Sequence, residues 1–70
     1  MSPEKLAYMA NQIGHFFAAQ TGDKAVVGIE DHIRQFWDPR MRRTIIAHLD
    51  DAALHLDPLV RQALERLRPQ

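Results

Sequence analysis

Three arginines follow an aromatic pair and an Asp-Pro pair in the segment FWDPRMRR, residues 36–43. Arginine carries a permanent charge on a planar fork of donors that matches the geometry of carboxylate and phosphate groups. Tryptophan and arginine are also strongly enriched among the residues that dominate binding at protein interfaces. The segment therefore predicts an interaction surface with Trp37 as its anchor. A solvated basic turn neutralised by Asp38 and Glu30 is the simpler alternative.

Asp38 and Pro39 predict that a helix begins within this segment. An aspartate can accept hydrogen bonds from the free amides of a helix start, and proline suits the first helical position. Arginines in the first turn face the positive end of the helix dipole, so local stability does not explain them. We therefore predict a partner-binding surface that contains Arg34, Trp37, Asp38, Pro39, Arg40, Met41, Arg42 and Arg43.

The other polar residues show no pattern typical of an active site or a metal centre. The chain has no cysteine, and neighbouring carboxylates such as Glu30 and Asp31 diverge around a helix. The four histidines lack the spacing of metal ligands, so we expect surface or edge positions for His15, His32, His48 and His55. We predict no catalytic residue, no metal site and no resident cofactor.

Length and composition favour a single small domain, residues 1–70. A chain this short is marginally stable alone and often relies on a partner or on self-association. Nine basic and nine acidic residues balance to zero net charge, which argues against binding of nucleic acids or membrane surfaces. No apolar stretch reaches the ~18 residues of a membrane span, and the first residues resemble no export signal, so we expect a cytoplasmic protein.

Helical spacing of apolar residues predicts an all-α bundle of four helices joined by short turns, at about 3–20, 24–37, 39–52 and 58–68. Gly22 is expected to end the first helix in a left-handed conformation, and Asp23 to cap the second. Glu30 and Arg34 are spaced for an ion pair along the second helix. Asp50-Asp51 would lie at the end of the third helix, against its dipole.

The inward stripes of these helices define the expected core. Phe16, Phe36 and Trp37 fall on these stripes in addition to the principal core residues. Those are Leu6, Ile13, Phe17, Val26, Ile29, Ile33, Met41, Ile45, Leu49, Val60, Leu64 and Leu67.

Several small or apolar residues lie off the inward stripes and predict further contacts. Small residues at Ala7, Asn11, Gly14 and Ala18 would let another helix approach closely. Val27, Ile46 and this small-residue face together predict self-association of the isolated chain into a homo-oligomer. The stem of Arg42 is expected to lie along apolar surface with its charge at the edge.

Three segments carry a resemblance to a known family. They read KLAYMANQIGHFF from residue 5, DHIRQFWDPRMRR from residue 31 and LDPLVRQALERL from residue 56. Together they resemble the delta subunit of cytosolic NAD-dependent formate dehydrogenase, roughly from Lys5 to Leu67. The most specific pieces are MANQI at 9–13 and FWDPRMR at 36–42, whereas residues 51–56 depart from the small-residue run typical of that position.

The resemblance implies an accessory subunit without a redox centre. Its enzyme is a molybdenum or tungsten formate dehydrogenase whose alpha subunit holds a bis(guanylyl-molybdopterin) cofactor and iron–sulfur clusters. The beta and gamma subunits carry FMN and further clusters. The chain is then expected to bind the alpha subunit and its beta/gamma complex, and to support maturation, molybdenum-cofactor insertion or stability.

Alone, such a subunit is expected to oxidise no formate and to bind no stoichiometric metal. An activity assay and elemental analysis of the purified chain check this prediction, and one tightly held metal ion per chain would contradict it. Two alternative functions stay open. One is a small helical regulator that binds nucleic acid. The other is a chaperone that binds the pterin-guanine dinucleotide directly through Arg40, Arg42 and Arg43.

Overall fold

The computed structural model describes residues 1–69, and they form the four-helix, all-α arrangement that the sequence predicts. The helices are α1 Pro3–Phe17, α2 Gly22–Phe36, α3 Pro39–Ala47 and α4 Pro58–Arg66. Three of them begin with proline in the first turn, after Ser2, Asp38 or Asp57. Helix α2 packs against both α1 and α4, and α1 in turn contacts α3 and α4. No helix within 1–69 is both long enough and apolar enough to cross a membrane.

The turn between α1 and α2 differs in detail from the prediction. Gly22 has the expected positive φ, +44°, but it is the first residue of α2 rather than the end of α1. Thr21 is the N-cap and makes no side-chain hydrogen bond there, so the prediction of Asp23 as the cap is wrong. Asp23 instead lies in the first turn of α2, where a negative charge suits the helix dipole.

Helix α3 ends at Ala47, earlier than the predicted end near residue 52. The chain continues in tight turns, with the amides of His48 and Leu49 donating to carbonyls three residues earlier. Asp51 then accepts a hydrogen bond from the amide of Ala53 at 2.9 Å, which competes with helical hydrogen bonding. The expectation that Asp50-Asp51 oppose the dipole of α3 is therefore wrong, because both aspartates lie beyond the helix.

The core confirms most of the predicted inward residues. Eight of the twelve are buried, namely Leu6, Val26, Ile29, Ile33, Ile45, Leu49, Val60 and Leu64. The other four, Ile13, Phe17, Met41 and Leu67, pack against this core and are partly buried. Trp37 and Leu54 complete it, together with four alanines at 7, 10, 25 and 63.

Phe16 and Phe36 are exposed, by 78% and 71%, so their assignment to the inward stripes is wrong. Each phenylalanine is next to another aromatic residue in the chain, and neighbours on a helix point about 100° apart, so only one of each pair can face the interior. Phe17 takes the inward place at the end of α1 and packs over Gly28, where an added Cβ would lie 2.6 Å from its ring. Trp37 takes the inward place at the end of α2.

The small-residue face of α1 is used within the chain. A Cβ added at Gly14 would lie 2.5 Å from a methyl group of Val60, so α4 approaches the backbone of α1 here. Asn11 donates to the carbonyl of His55 at 2.9 Å and accepts from the amide of Asp57 at 3.0 Å. Close helix approach is thus confirmed, but the expectation that Ala7 and Gly14 offer a surface for another chain is wrong.

An ion-pair network centred on the buried residue Glu30 connects α2 to α4. Glu30 is only 7% exposed, and its carboxylate accepts hydrogen bonds from Arg66 Nε on α4 and from Arg34 Nη2, 2.7 Å away on α2. The hydrogen bond from Arg66, together with that from Arg34 and both positive charges, lowers the pKa of Glu30 below its ordinary value of 4.5 despite the opposing effect of burial. The predicted pair of Glu30 with Arg34 is confirmed, and Arg66 is an additional partner.

Replacing Glu30 by glutamine is expected to lower the free energy of unfolding at pH 7 by about 1–3 kcal/mol, because two arginines lose a charged acceptor. The pKa of this carboxyl is lower in the folded than in the unfolded chain, so its stabilisation is complete above about pH 4.5 and is lost as the pH falls through the folded-state pKa. Urea unfolding between pH 7 and pH 3 should show wild type and Glu30→Gln converging at the acid end.

Asp31→Asn is the matched control for Glu30→Gln. Asp31 is exposed and faces Arg34 at 3.6 Å, so its change should alter the free energy of unfolding by less than about 0.5 kcal/mol. A stability gap between wild type and Glu30→Gln that stays constant from pH 7 to pH 3 would contradict the role of this carboxylate.

Candidate protein-interaction surfaces

The turn between α2 and α3 is held rigidly by its own residues. The carboxylate of Asp38 accepts a hydrogen bond from the amide of Met41 at 2.9 Å, and Pro39 occupies the first position of α3. The side chain of Trp37 lies in the core and is only 5% exposed. Trp37 is therefore a core residue, as its place on an inward stripe predicts, and its burial does not fit its other predicted role as the anchor of an interaction surface.

Arg42 explains part of the unusual positive charge at the start of α3. Its Nη1 donates to the carbonyl oxygens of Trp37 and of Arg34, the latter at 3.2 Å. The last carbonyls of a helix lack helical partners and carry the negative end of the dipole, so a guanidinium stabilises them. Arg42 thus caps the C-terminus of α2. The sequence predicts only that its stem lies along apolar surface, and not this capping role.

Arg34 and Met41 are also engaged inside the chain. Arg34 pairs with Glu30 at 2.7 Å and with Asp31 at 3.6 Å. Met41 is partly buried against the core. Arg34 and Met41 belong to the predicted surface, but their contacts within the chain leave less of each side chain available to a partner.

Arg40 and Arg43 are exposed, and within residues 1–69 neither makes an ion pair. The acidic residues proposed to neutralise them are engaged elsewhere: Asp38 caps the amide of Met41, and Glu30 binds Arg34 and Arg66. Direct ion pairs of Arg40 and Arg43 with these two carboxylates, as the simpler alternative would have them, are therefore not formed within residues 1–69, although the turn is exposed to solvent. We call Pro39, Arg40 and Arg43 the basic corner.

A groove lies beside the basic corner, between α3 and the end of α4. Its volume is about 470 Å³. We call it the α3–α4 groove. Its lining residues are Pro39, Arg42, Arg43, Ile46, Ala47, Leu67 and Pro69. An apolar floor with basic residues at one edge can receive an apolar group that carries a negative charge next to it.

Four aromatic residues on α1 and α2 form a patch that we call the aromatic patch: Phe16, Phe17, His32 and Phe36. Its ring centroids are 5.1 Å apart for Phe16 and Phe17, 6.4 Å for Phe17 and His32, and 4.7 Å for His32 and Phe36. Exposed aromatic clusters of this kind are typical of protein–protein contacts. Sequence reasoning missed this patch, although the doublets Phe16-Phe17 and Phe36-Trp37 could have indicated that one member of each pair must face outward.

The histidines lie at the surface or at its edge, as predicted. His15 and His55 are exposed, whereas His32 and His48 are half-buried. His15 Nε2 lies 3.3 Å from a carboxylate oxygen of Asp57, and His48 Nδ1 lies 2.9 Å from the carbonyl oxygen of Thr44. In the part of the chain that the structure describes, no group of three or more metal-ligating side chains converges.

Comparisons with known proteins give a family for the chain. A family model described as the NADH-dependent formate dehydrogenase delta subunit matches residues 5–64. No curated protein matches the chain, and no solved structure does. The match includes Arg40 and Arg43 of the basic corner and all four residues of the aromatic patch. Because it spans most of the 70 residues, and thereby confirms the resemblance seen in the sequence, the chain belongs to the delta subunit family of NADH-dependent formate dehydrogenases.

Proposed function

We propose that the chain is a non-catalytic accessory subunit, which binds the alpha subunit of formate dehydrogenase within its complex with the beta and gamma subunits. In this proposal it acts in the cytoplasm and supports maturation of the alpha subunit, insertion of its molybdenum cofactor, or its stability. The family match supports membership of the complex. The basic corner supports a direct contact with a larger protein.

The observation that carries the proposal is the uncompensated charge of Arg40 and Arg43. Both guanidinium groups are exposed and make no ion pair within 1–69. Arg40 also lies in the first turn of α3, where the dipole disfavours it. The turn beneath them is fixed by Asp38 and Trp37, which lowers the entropy that ordering the surface would require on binding. We therefore propose that a carboxylate-bearing surface of the alpha subunit meets this corner.

Direct binding of the pterin-guanine dinucleotide is less well supported. That alternative used three arginines on the pyrophosphate group, but the guanidinium of Arg42 is held on the carbonyls of Trp37 and Arg34. Two arginines on an open surface offer a weaker site for a compact dianion than the enclosed clusters of donors that usually bind phosphate. A contact with a protein surface uses both exposed arginines without this requirement.

Production of the formate dehydrogenase complex with and without this chain tests the proposed function. The readouts are metal and cofactor content of the alpha subunit, NAD reduction by formate, and the unfolding temperature of the complex. Loss of cofactor without the chain assigns a role in maturation or insertion, and a lower unfolding temperature with full cofactor content assigns a role in stability. Equal values on all three readouts would contradict the proposal.

The isolated chain is expected to self-associate through the aromatic patch. The small-residue face is covered within the chain, but Phe16 and Phe36 are the most exposed large apolar side chains in the described residues, and water drives such surfaces together. Sedimentation velocity should show a mass that rises with concentration for wild type and stays monomeric for Phe16→Ser/Phe36→Ser. Tyr8→Ser, a change at an exposed aromatic outside the patch, is the control. A concentration-independent monomer for wild type would contradict this prediction.

A further inference from the structure

We propose that the α3–α4 groove binds a segment of the partner protein in which a large apolar side chain stands next to a carboxylate. The apolar side chain enters the groove, and the carboxylate pairs with Arg43 at its edge. This inference rests on the proposed function, because it assumes that the chain binds a larger subunit. It adds the chemistry of the partner segment and the place where that segment lies.

The floor of the groove is apolar surface that no other part of the described chain covers. Ile46 and Leu67 are each partly buried, and Ala47 at the end of α3 is exposed. The volume of about 470 Å³ lies within the roughly 300–1,000 Å³ range typical of sites that bury a ligand. Burial of these side chains against an apolar group removes their remaining contact with water and favours binding.

The charge at the edge of the groove selects a negatively charged occupant. Two of its lining residues, Arg42 and Arg43, are positive, and none is acidic. Of the carboxylates close to these elements in the sequence, Asp38 caps the amide of Met41 and Asp50 lies 3.3 Å from Arg68, and neither forms an ion pair with Arg43. Arg42 is held on the end of α2, so Arg43 has the guanidinium that can form a paired hydrogen bond with a carboxylate.

The combination of floor and edge favours a protein segment over a small anion. A free phosphate or pyrophosphate would gain nothing from Ile46, Ala47 and Leu67, and it would find at the groove the free donors of Arg43 alone. A segment with Leu, Ile, Met or Phe beside Asp or Glu uses both parts of the groove. Such a segment also reaches the basic corner, because Pro39 and Arg43 belong to both surfaces.

The first test places a carboxylate inside the groove. Ala47→Glu puts a negative charge beside Arg43, where it competes with and repels the partner's carboxylate, and its affinity for the complex should fall by about tenfold or more. Ala19→Glu, at an exposed position in the turn after α1, should bind within about twofold of wild type, because scattered surface charges have small effects. Failure of the wild-type chain to bind would overturn the proposed function itself. If wild type binds and the two variants bind equally, only the groove inference is overturned.

The second test identifies the segment by a cross-link. The chain has no cysteine, so Ala47→Cys provides a unique attachment point for a photo-reactive benzophenone in the assembled complex. Mass spectrometry of the product should locate one partner segment with an acidic residue beside a large apolar one. Exchange of that acidic residue for lysine should weaken binding, and combination with Arg43→Glu should restore it.

Two outcomes would overturn the inference at this stage. One is a cross-linked segment without an acidic residue, or one whose charge exchange is not rescued by Arg43→Glu. The other is release of the chain by inorganic pyrophosphate at an ionic strength at which sodium chloride alone does not release it. That second outcome would assign the groove to a small anion rather than to a protein segment.

Discussion

Ile33→Ala is expected to lower the free energy of unfolding by ~2–5 kcal/mol, since it removes buried methyl groups and leaves a cavity that the bundle fills only in part. Ile33 is fully buried, at 0% exposure, and lies on α2, the helix that packs against both α1 and α4. A domain of this length has a total stability of roughly 4–10 kcal/mol at typical values per residue. The loss therefore removes a large share of the stability, and urea unfolding followed by circular dichroism measures it.

Val27→Ala on the same helix is the control for Ile33→Ala. Val27 is partly exposed and lies outside the core, so its truncation should change the free energy of unfolding by no more than about 0.5 kcal/mol. An equally small loss for Ile33→Ala would show that the packing of α2 described here is incorrect.

Helix starts could be predicted from the sequence because their signals are local. Ser2 and Asp38 accept hydrogen bonds from amides three residues later, and α1, α3 and α4 each begin with proline in the first turn. Helix ends were harder to predict. The end of α3 depends on Asp51, which bonds the amide of Ala53 in a turn, and on Arg61 of α4, which donates to the carbonyl of Leu49.

Two of the roles that sequence reasoning missed depend on contacts between separate elements. Arg66 donates to Glu30, which lies 36 residues earlier in the chain. The periodicity within one helix does not predict a contact between residues so far apart in the sequence. Arg42 reaches back across the turn to the carbonyl of Trp37, five residues earlier, which requires knowledge of the angle between α2 and α3. That capping contact removes Arg42 from the candidate site and leaves Arg40 and Arg43 as its charged residues.

The aromatic doublets show a different limit of pattern reasoning. Helical spacing places Phe16 and Phe36 on or near the inward stripes, but the width of the stripe exceeds the room inside a bundle of this size. Phe17 over Gly28 and Trp37 in the core fill that room. The remaining phenylalanines are therefore exposed, where they form a surface rather than a core.

Reversal of both charges of the basic corner, Arg40→Glu/Arg43→Glu, is expected to weaken binding to the formate dehydrogenase complex by about 100-fold, because like charges then face each other across the interface. The same change should leave the fold intact. A negative charge at position 40 suits the positive end of the α3 dipole and is expected to contribute ~0.3–1 kcal/mol of stability. A variant that folds at least as well as wild type but binds much more weakly would identify Arg40 and Arg43 as residues used for binding.

The affinity of this variant for the purified complex, measured beside Lys5→Glu/Lys24→Glu, tests the central claim most directly. Both lysines are exposed in the first turns of α1 and α2 and make no ion pair within residues 1–69, so the control changes the net charge by the same amount at sites away from the basic corner. If the basic corner is the contact surface, the arginine variant should lose about 100-fold in affinity while the lysine variant stays within about threefold of wild type. Non-specific charge effects do not produce such a difference, because both variants change the net charge equally. Equal affinities for the two folded variants would contradict the assignment of the contact to the basic corner.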